Sequence, residues 1–140
     1  MKRLNRKIEY SLMALKHMAK KRPGELTSAK EIVESVGAPF DATARVLQIM
    51  AQNGLLQSEQ GVHGGYLIVK DLSKVSFFDL SQMILGPMKV AKCMADESCE
   101  LHTTCNIQSP MANLDRKLNE FYQSLSIGEI LRLKDEARPL

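Results

Sequence analysis

The stretch LLQSEQGVHGGYLIVK, residues 55–70, decides the fold. Its ends, LLQSE (55–59) and YLIVK (66–70), read as two short strands, and the glycine-bearing tip QGVHGG (60–65) joins them as a hairpin. The chain before it reads as three short helices. Ile8, Leu12, Leu15 and Ala19 recur at helical spacing over about Asn5 to Lys21, and RPGE (22–25) stops that segment. SAKE (28–31) is a capping-box pattern, Ser28 with Glu31, starting a second helix that ends near Gly37. Pro39 opens a third helix through Asn53, with Val46, Ile49 and Met50 inward and Gly54 as its cap.

Three short helices with the turn VGAPF (36–40) make a helix-turn-helix pattern. Followed by a glycine-tipped hairpin, they imply a mainly α winged helix with a small β-hairpin wing. The third helix of such a unit enters a major groove while the wing reaches a minor groove or the backbone. Small helical bundles that never touch DNA share these spacings, so the pattern alone leaves that alternative open.

Beyond the hairpin, SFFD (76–79) caps a short helix ending at Gly86 and Pro87. After Pro110, Met111, Leu114, Leu118, Phe121 and Leu125 step by 3, 4, 3 and 4, a heptad-like seam. One such seam could pack onto its own domain. A DNA-reading unit, however, gains from a two-fold dimer that matches two half-sites, and a long dimerisation helix is the expectation. SIGE (126–129) caps a last helix, expected from Ser126 to about Asp135. The division that follows is 1–87 for DNA binding, 88–109 for a ligand loop, and 110–140 for the dimerisation and C-terminal helices.

At 140 residues the chain can bury a core without staples. No apolar run approaches the roughly 18–20 residues of a membrane span. The first apolar residues are interleaved with Lys7, Lys16, Lys20 and Lys21, unlike a signal peptide, so a cytoplasmic protein is expected. The net charge of +3 hides an asymmetry. Residues 1–22 carry Lys2, Arg3, Arg6, Lys7, Lys16, Lys20, Lys21 and Arg22 against the single acid Glu9, and the remainder is net acidic. A polyanion docking at that end is one reading, and a solvated helix face is the other. No paired acid and base, phosphate loop or nucleophile set is present, so enzymatic function is not expected.

All three cysteines fall in CMADESCELHTTC, residues 93–105, with five residues between neighbours. On one helix each step would turn about 240° and scatter the thiols. On one strand each step would separate them by about 20 Å. Only a loop folded back on something central brings them together. Structural zinc prefers closer cysteine pairs and a fourth ligand, which His102 could supply. An iron–sulfur cluster tolerates assorted spacings, and three thiolates would leave one iron for a weaker donor, as suits a sensor. Three unligated thiols, one a redox switch, remain the third option.

These residues together resemble the Rrf-two family of bacterial winged-helix regulators, in particular its iron–sulfur members (NsrR/IscR-like). The resemblance runs from Leu4 to about Ile130 and rests on LNRKIEYSLMAL (4–15), GVHGGYLI (61–68), the Gly86–Pro87 pair, the cysteine triplet and SIGEI (126–130). It implies a homodimer on a palindromic operator, with an iron–sulfur cluster on Cys93, Cys99 and Cys105. IscR-like members take a histidine three residues past the last cysteine, where this chain has Gln108. NsrR-like members take a carboxylate from the other subunit's first helix, and the matching position is Glu9, which also suits the helix macrodipole there. The acid and the missing histidine favour [4Fe–4S] over [2Fe–2S].

On the DNA side, many members carry an arginine where this chain has Gln60, and His63 replaces a tip glycine. Wing readout is therefore expected to be weaker, or tuned by the charge of His63 near a pH of about 6.5. Asp41, Thr43 and Arg45 are expected toward base edges, with Arg45 pairing guanine. Lys2, Arg3, Arg6 and Lys7 are expected on phosphates. Ser28, Gly64 and Tyr66 complete the expected DNA-facing set.

Overall fold

Asn5 accepts a 2.8 Å hydrogen bond from the Lys7 backbone N–H, which caps helix α1 (Arg6–Ala19). The computed structural model describes residues 4–87, 89 and 99–133. Helix α1 buries Ile8, Ala14, Leu15 and Met18. Ala19, expected inward, is exposed, and Met18 takes the core position at that end.

Helix α2 (Ala29–Val36) starts at Ser28, whose hydroxyl accepts from the Glu31 backbone N–H at 3.1 Å. Only this half of the capping box forms, because the Glu31 carboxylate turns to α1 instead. Gly37 ends the helix at φ +77°, a left-handed conformation that costs glycine little. Helix α3 (Phe40–Gln52) follows, with Pro39 as its N-cap residue. It buries Thr43, Val46, Leu47 and Met50 against α1 and α2.

Strands β1 (Leu56–Glu59) and β2 (Gly65–Ile68) pair antiparallel, with Leu56 opposite Ile68 and Glu59 opposite Gly65. Thr27 forms a third rung beside β2: its N–H donates to Tyr66 O at 3.1 Å, and Tyr66 N–H donates to Thr27 O at 2.8 Å. The hairpin is thereby fixed to the entry of α2. A Cβ on Gly65 would stand 2.7 Å from the Thr27 carbonyl oxygen, so this close approach requires glycine.

A 3-10 turn (Leu72–Lys74) leads to α4 (Phe77–Leu85), which carries the full Ser76–Asp79 capping box. The long helix α5 (Gln108–Ser124) packs across α4, with Phe77 and Tyr122 rings 5.4 Å apart. Leu125, expected as the last seam residue, lies just past the helix in an extended conformation. Its carbonyl accepts from Phe77 N–H at 2.8 Å, and Ile127 N–H donates to Val75 O at 2.8 Å. Helix α6 (Ile127–Ile130) is capped by Ser126 and Glu129 as expected, but it is one turn long. Arg132 adopts φ +54°, which breaks the extension expected to Asp135. Residues 134–140 lie outside the described residues, as do Lys2, Arg3 and Cys93. The observed class is mainly α with a two-stranded wing.

Candidate nucleic-acid interface and cysteine loop

Because α3 buries Thr43, Val46, Leu47 and Met50, its opposite side must face outward. Asp41, Arg45 and Gln48 lie within about 60° of one another around the helix, and all three are exposed. Thr43 is not among them. It is fully buried, its hydroxyl has no hydrogen-bond partner, and it faces the core rather than a base edge. Gln48 is not among the side chains expected at base edges. Its place seven residues after Asp41, two turns along one stripe, is the signal that would have found it.

The wing tip is exposed at Gln60, Gly61, Val62 and His63. Gly61 holds φ +113°, and Gly64 N–H closes the turn onto Gly61 O at 3.0 Å. A side chain on Gly64 would collide with the Glu59 carbonyl, so this glycine shapes the turn that presents its neighbours. Tyr66 is half-buried against the core. Ser28 has its hydroxyl committed to the α2 cap. Arg6 and Lys7 are exposed at the start of α1, where Arg6 Nη1 lies 3.2 Å from Glu9 Oε2. The pairing engages Glu9 within its own helix, leaving it one-third exposed.

Cys99 and Cys105 are half-buried and form no disulfide. Between them the chain makes two successive turns, His102 N–H to Cys99 O at 3.2 Å and Thr104 N–H to Leu101 O at 3.1 Å. From Cys99 to Cys105 the chain is thus turns rather than helix or strand, and residues 93–98 lie outside the described residues. Gln108, the first residue of α5, approaches His102 with its Nε2 2.9 Å from the ring Nδ1. Upstream, Lys89 Nζ lies 3.9 Å from the buried Asp115 carboxylate of α5. Among the described residues, no three His, Cys, Asp or Glu side chains converge as a metal site. Cys93, whose placement such a site would need, is outside them.

Along α5 the seam is partly open, with Leu114 at 42% and Phe121 at 58% exposure. Among the described residues, no helix is long and apolar enough to cross a membrane.

A winged helix with an open third helix, followed by a cysteine loop and a long amphipathic helix, defines a class of DNA-binding regulators. Residues 4–133 match the family model Rrf2, described as iron-dependent transcriptional regulator, and the chain belongs to that family. It is a transcriptional regulator and not an enzyme. The chain is similar to the HTH-type transcriptional regulator IscR of Escherichia coli, with 22% identity over 92% of this chain and 80% of that one. Among solved structures it is similar to CymR, the global cysteine regulator of B. subtilis, with a TM-score of 0.70 and 19% identity over 94% of this chain and 98% of that one. T. potens IscR gives a TM-score of 0.69 and 18% identity over 99% and 93% of the two chains. Likeness at these identities carries the fold.

Proposed function

We propose that the chain works as a cytoplasmic homodimer that represses transcription from a palindromic operator, and that an iron–sulfur cluster gates its affinity. The observation that carries the reading is the cysteine loop. Cys99 and Cys105 are unpaired and half-buried on either side of a doubled turn, directly ahead of a helix with an open apolar seam. Soft thiolates on an irregular, folded-back backbone fit the donor chemistry of such a cluster. Cys93, Cys99 and Cys105 would hold it, with Glu9 of the second subunit as the fourth donor and [4Fe–4S] favoured over [2Fe–2S]. When bound, the cluster supplies reactivity toward nitric oxide, oxygen or iron scarcity.

The chain's own residues supply the rest. Arg45 and Asp41 meet base edges, while Arg6 and Lys7, with Lys2 and Arg3, hold phosphates. Gln60 and His63 meet the flanking groove or backbone from the wing tip. Glu9, if drawn to the second subunit's loop, leaves Arg6 and ties that loop to a DNA-binding domain across the dimer. A hundredfold change in operator affinity needs about 2.7 kcal/mol of differential interaction, within reach of one cross-subunit restraint.

The test is an absorption spectrum with iron and sulfide counts on protein purified without oxygen. A broad visible band with about four irons per chain supports the reading. Operator binding is then followed during a nitric oxide titration. Colourless protein that takes up no iron on anaerobic reconstitution overturns the cluster. A second reading is regulation through free thiols or zinc, which the unpaired, half-buried Cys99 and Cys105 equally allow. Operator affinity that responds to thiol oxidation or zinc in iron-free protein would support it.

A further inference from the structure

Polar side chains on the surface of the DNA-binding domain are often committed to partners. Arg6 pairs with Glu9, His17 and Lys21 meet Glu31, Gln57 donates to Glu59 at 3.0 Å, and Asn53 donates to Ile49 O at 2.8 Å. Others, Lys30, Glu34 and Gln60 among them, are exposed without such a partner, and the outward stripe of α3 is a contiguous set of this kind. Asp41, Arg45 and Gln48 are exposed and engage no side-chain hydrogen bond or ion pair among the described residues. Asp41 and Arg45 even stand four residues apart with the acid first, the order that favours pairing on a helix, and still do not pair. These side chains lie open, side by side, to whatever approaches that face.

We propose that Gln48 is a specificity-determining residue that reads adenine, one turn beyond Arg45 in the same major groove. The inference rests on the reading of this chain as an operator-binding regulator. A carboxamide with both its oxygen and its nitrogen free matches the amino group and N7 of adenine bidentately. Ala44, one turn before Gln48 on the same stripe, ends at Cβ and lets the helix lie close to the bases. Arg45 and Gln48 are separated by about 4.5 Å along the helix axis, little more than one base-pair step of about 3.4 Å. Each half-site therefore holds a guanine for Arg45 and an adenine for Gln48 within two base pairs of each other. Gln48 is far enough along α3 to need the helix laid along the groove, which the small Ala44 permits.

The test uses the full chain to enrich duplexes from a randomised pool, and repeats the enrichment with Gln48→Ala and Gln48→Glu. The alanine variant is expected to lose the adenine preference at one position per half-site while the guanine preference beside it stays. The glutamate variant, which can only accept, shifts that position toward cytosine. The best wild-type duplex is then remade with 7-deazaadenine at that position. The change weakens wild-type binding by about tenfold and leaves Gln48→Ala binding unaltered. An unchanged preference in Gln48→Ala, or an equal penalty for both proteins, overturns the assignment while the regulator reading stands. If the wild-type chain enriches no shared motif, the operator-binding reading itself fails, and the assignment with it.

Discussion

His17 Nε2 lies 2.6 Å from Glu31 Oε2, and Lys21 Nζ lies 2.7 Å from the same oxygen, so one carboxylate ties the end of α1 to the first turn of α2. The Lys21 ammonium, and after it His17, hold the Glu31 carboxyl below its ordinary value of 4.5. The same contact raises Lys21 above 10.5. This is why the capping box of α2 is only half made: the carboxylate that would close it is spent on fixing the angle between two helices.

Glu31→Gln is expected to cost at most about 1 kcal/mol near neutral pH, because the group is partly exposed and solvent-screened. The folded-state value of Glu31 is depressed. Its contribution is therefore present above the unfolded value and lost as pH falls through the folded one. The Lys21 contribution runs the other way, lost only as pH rises through its raised value. Urea unfolding at neutral pH and again well below pH 4.5 measures the difference. An equal cost at both would mean that shape, rather than charge, accounts for the role of Glu31.

Thr43→Val is expected to leave the protein as stable or to stabilise it by about 1 kcal/mol. The buried hydroxyl has no partner, and removing an unsatisfied polar group recovers its desolvation cost. Duplex affinity should not change, since the side chain faces the core. A variant that folds normally but binds DNA markedly less well would put Thr43 back on the recognition face.

Gly65→Ala is expected to destabilise by about 2 kcal/mol or more, because the added Cβ meets the Thr27 backbone, which cannot move without opening the rung to β2. Amide exchange at Thr27 and Tyr66 should accelerate together. Normal protection at both would show that the hairpin does not depend on this contact.

Leu114→Glu with Phe121→Glu is expected to convert a dimer to monomer without loss of helix content, since both side chains are exposed in the single chain. Sedimentation velocity beside circular dichroism separates association from folding. Retained dimers would place the subunit contact elsewhere.

Glu9→Ala is expected to leave metal-free DNA binding intact, because it removes an acid and releases Arg6 from its 3.2 Å partner. The effect of iron loading on operator affinity should shrink. A loaded response equal to wild type would remove Glu9 from the ligand set.

The helix starts were legible because each is written in a few adjacent residues, as at Asn5, Ser28, Ser76 and Ser126. The ends were less so. Helix α6 was expected to reach Asp135 because nothing local marks its stop, yet the chain turns through Arg132 at φ +54°. Helix α5 begins at Gln108, two residues before the proline taken as its edge. Proline in a first turn gives up an N–H that has no intrahelical partner anyway, so it does not fix the boundary. Thr43 suits DNA contact by residue type, whereas its place beside Val46 and Leu47 puts it inward. The turns between Cys99 and Cys105 carry no periodicity, and only the geometric argument against regular structure reached them.

The two backbone bonds around Leu125 and Ile127 make the C-terminal end of α5 a fulcrum. From there the helix reaches back about 25 Å, at 1.5 Å per residue, to the cysteine loop at Gln108. A shift of about 4 Å at the loop end corresponds to a tilt of only about 10° at the fulcrum. The lever works against the segment that carries Phe77 and α4, which packs on α1 and α3. Under the proposed function, small rearrangements at the thiols would be geared down into fine rotations beneath α3.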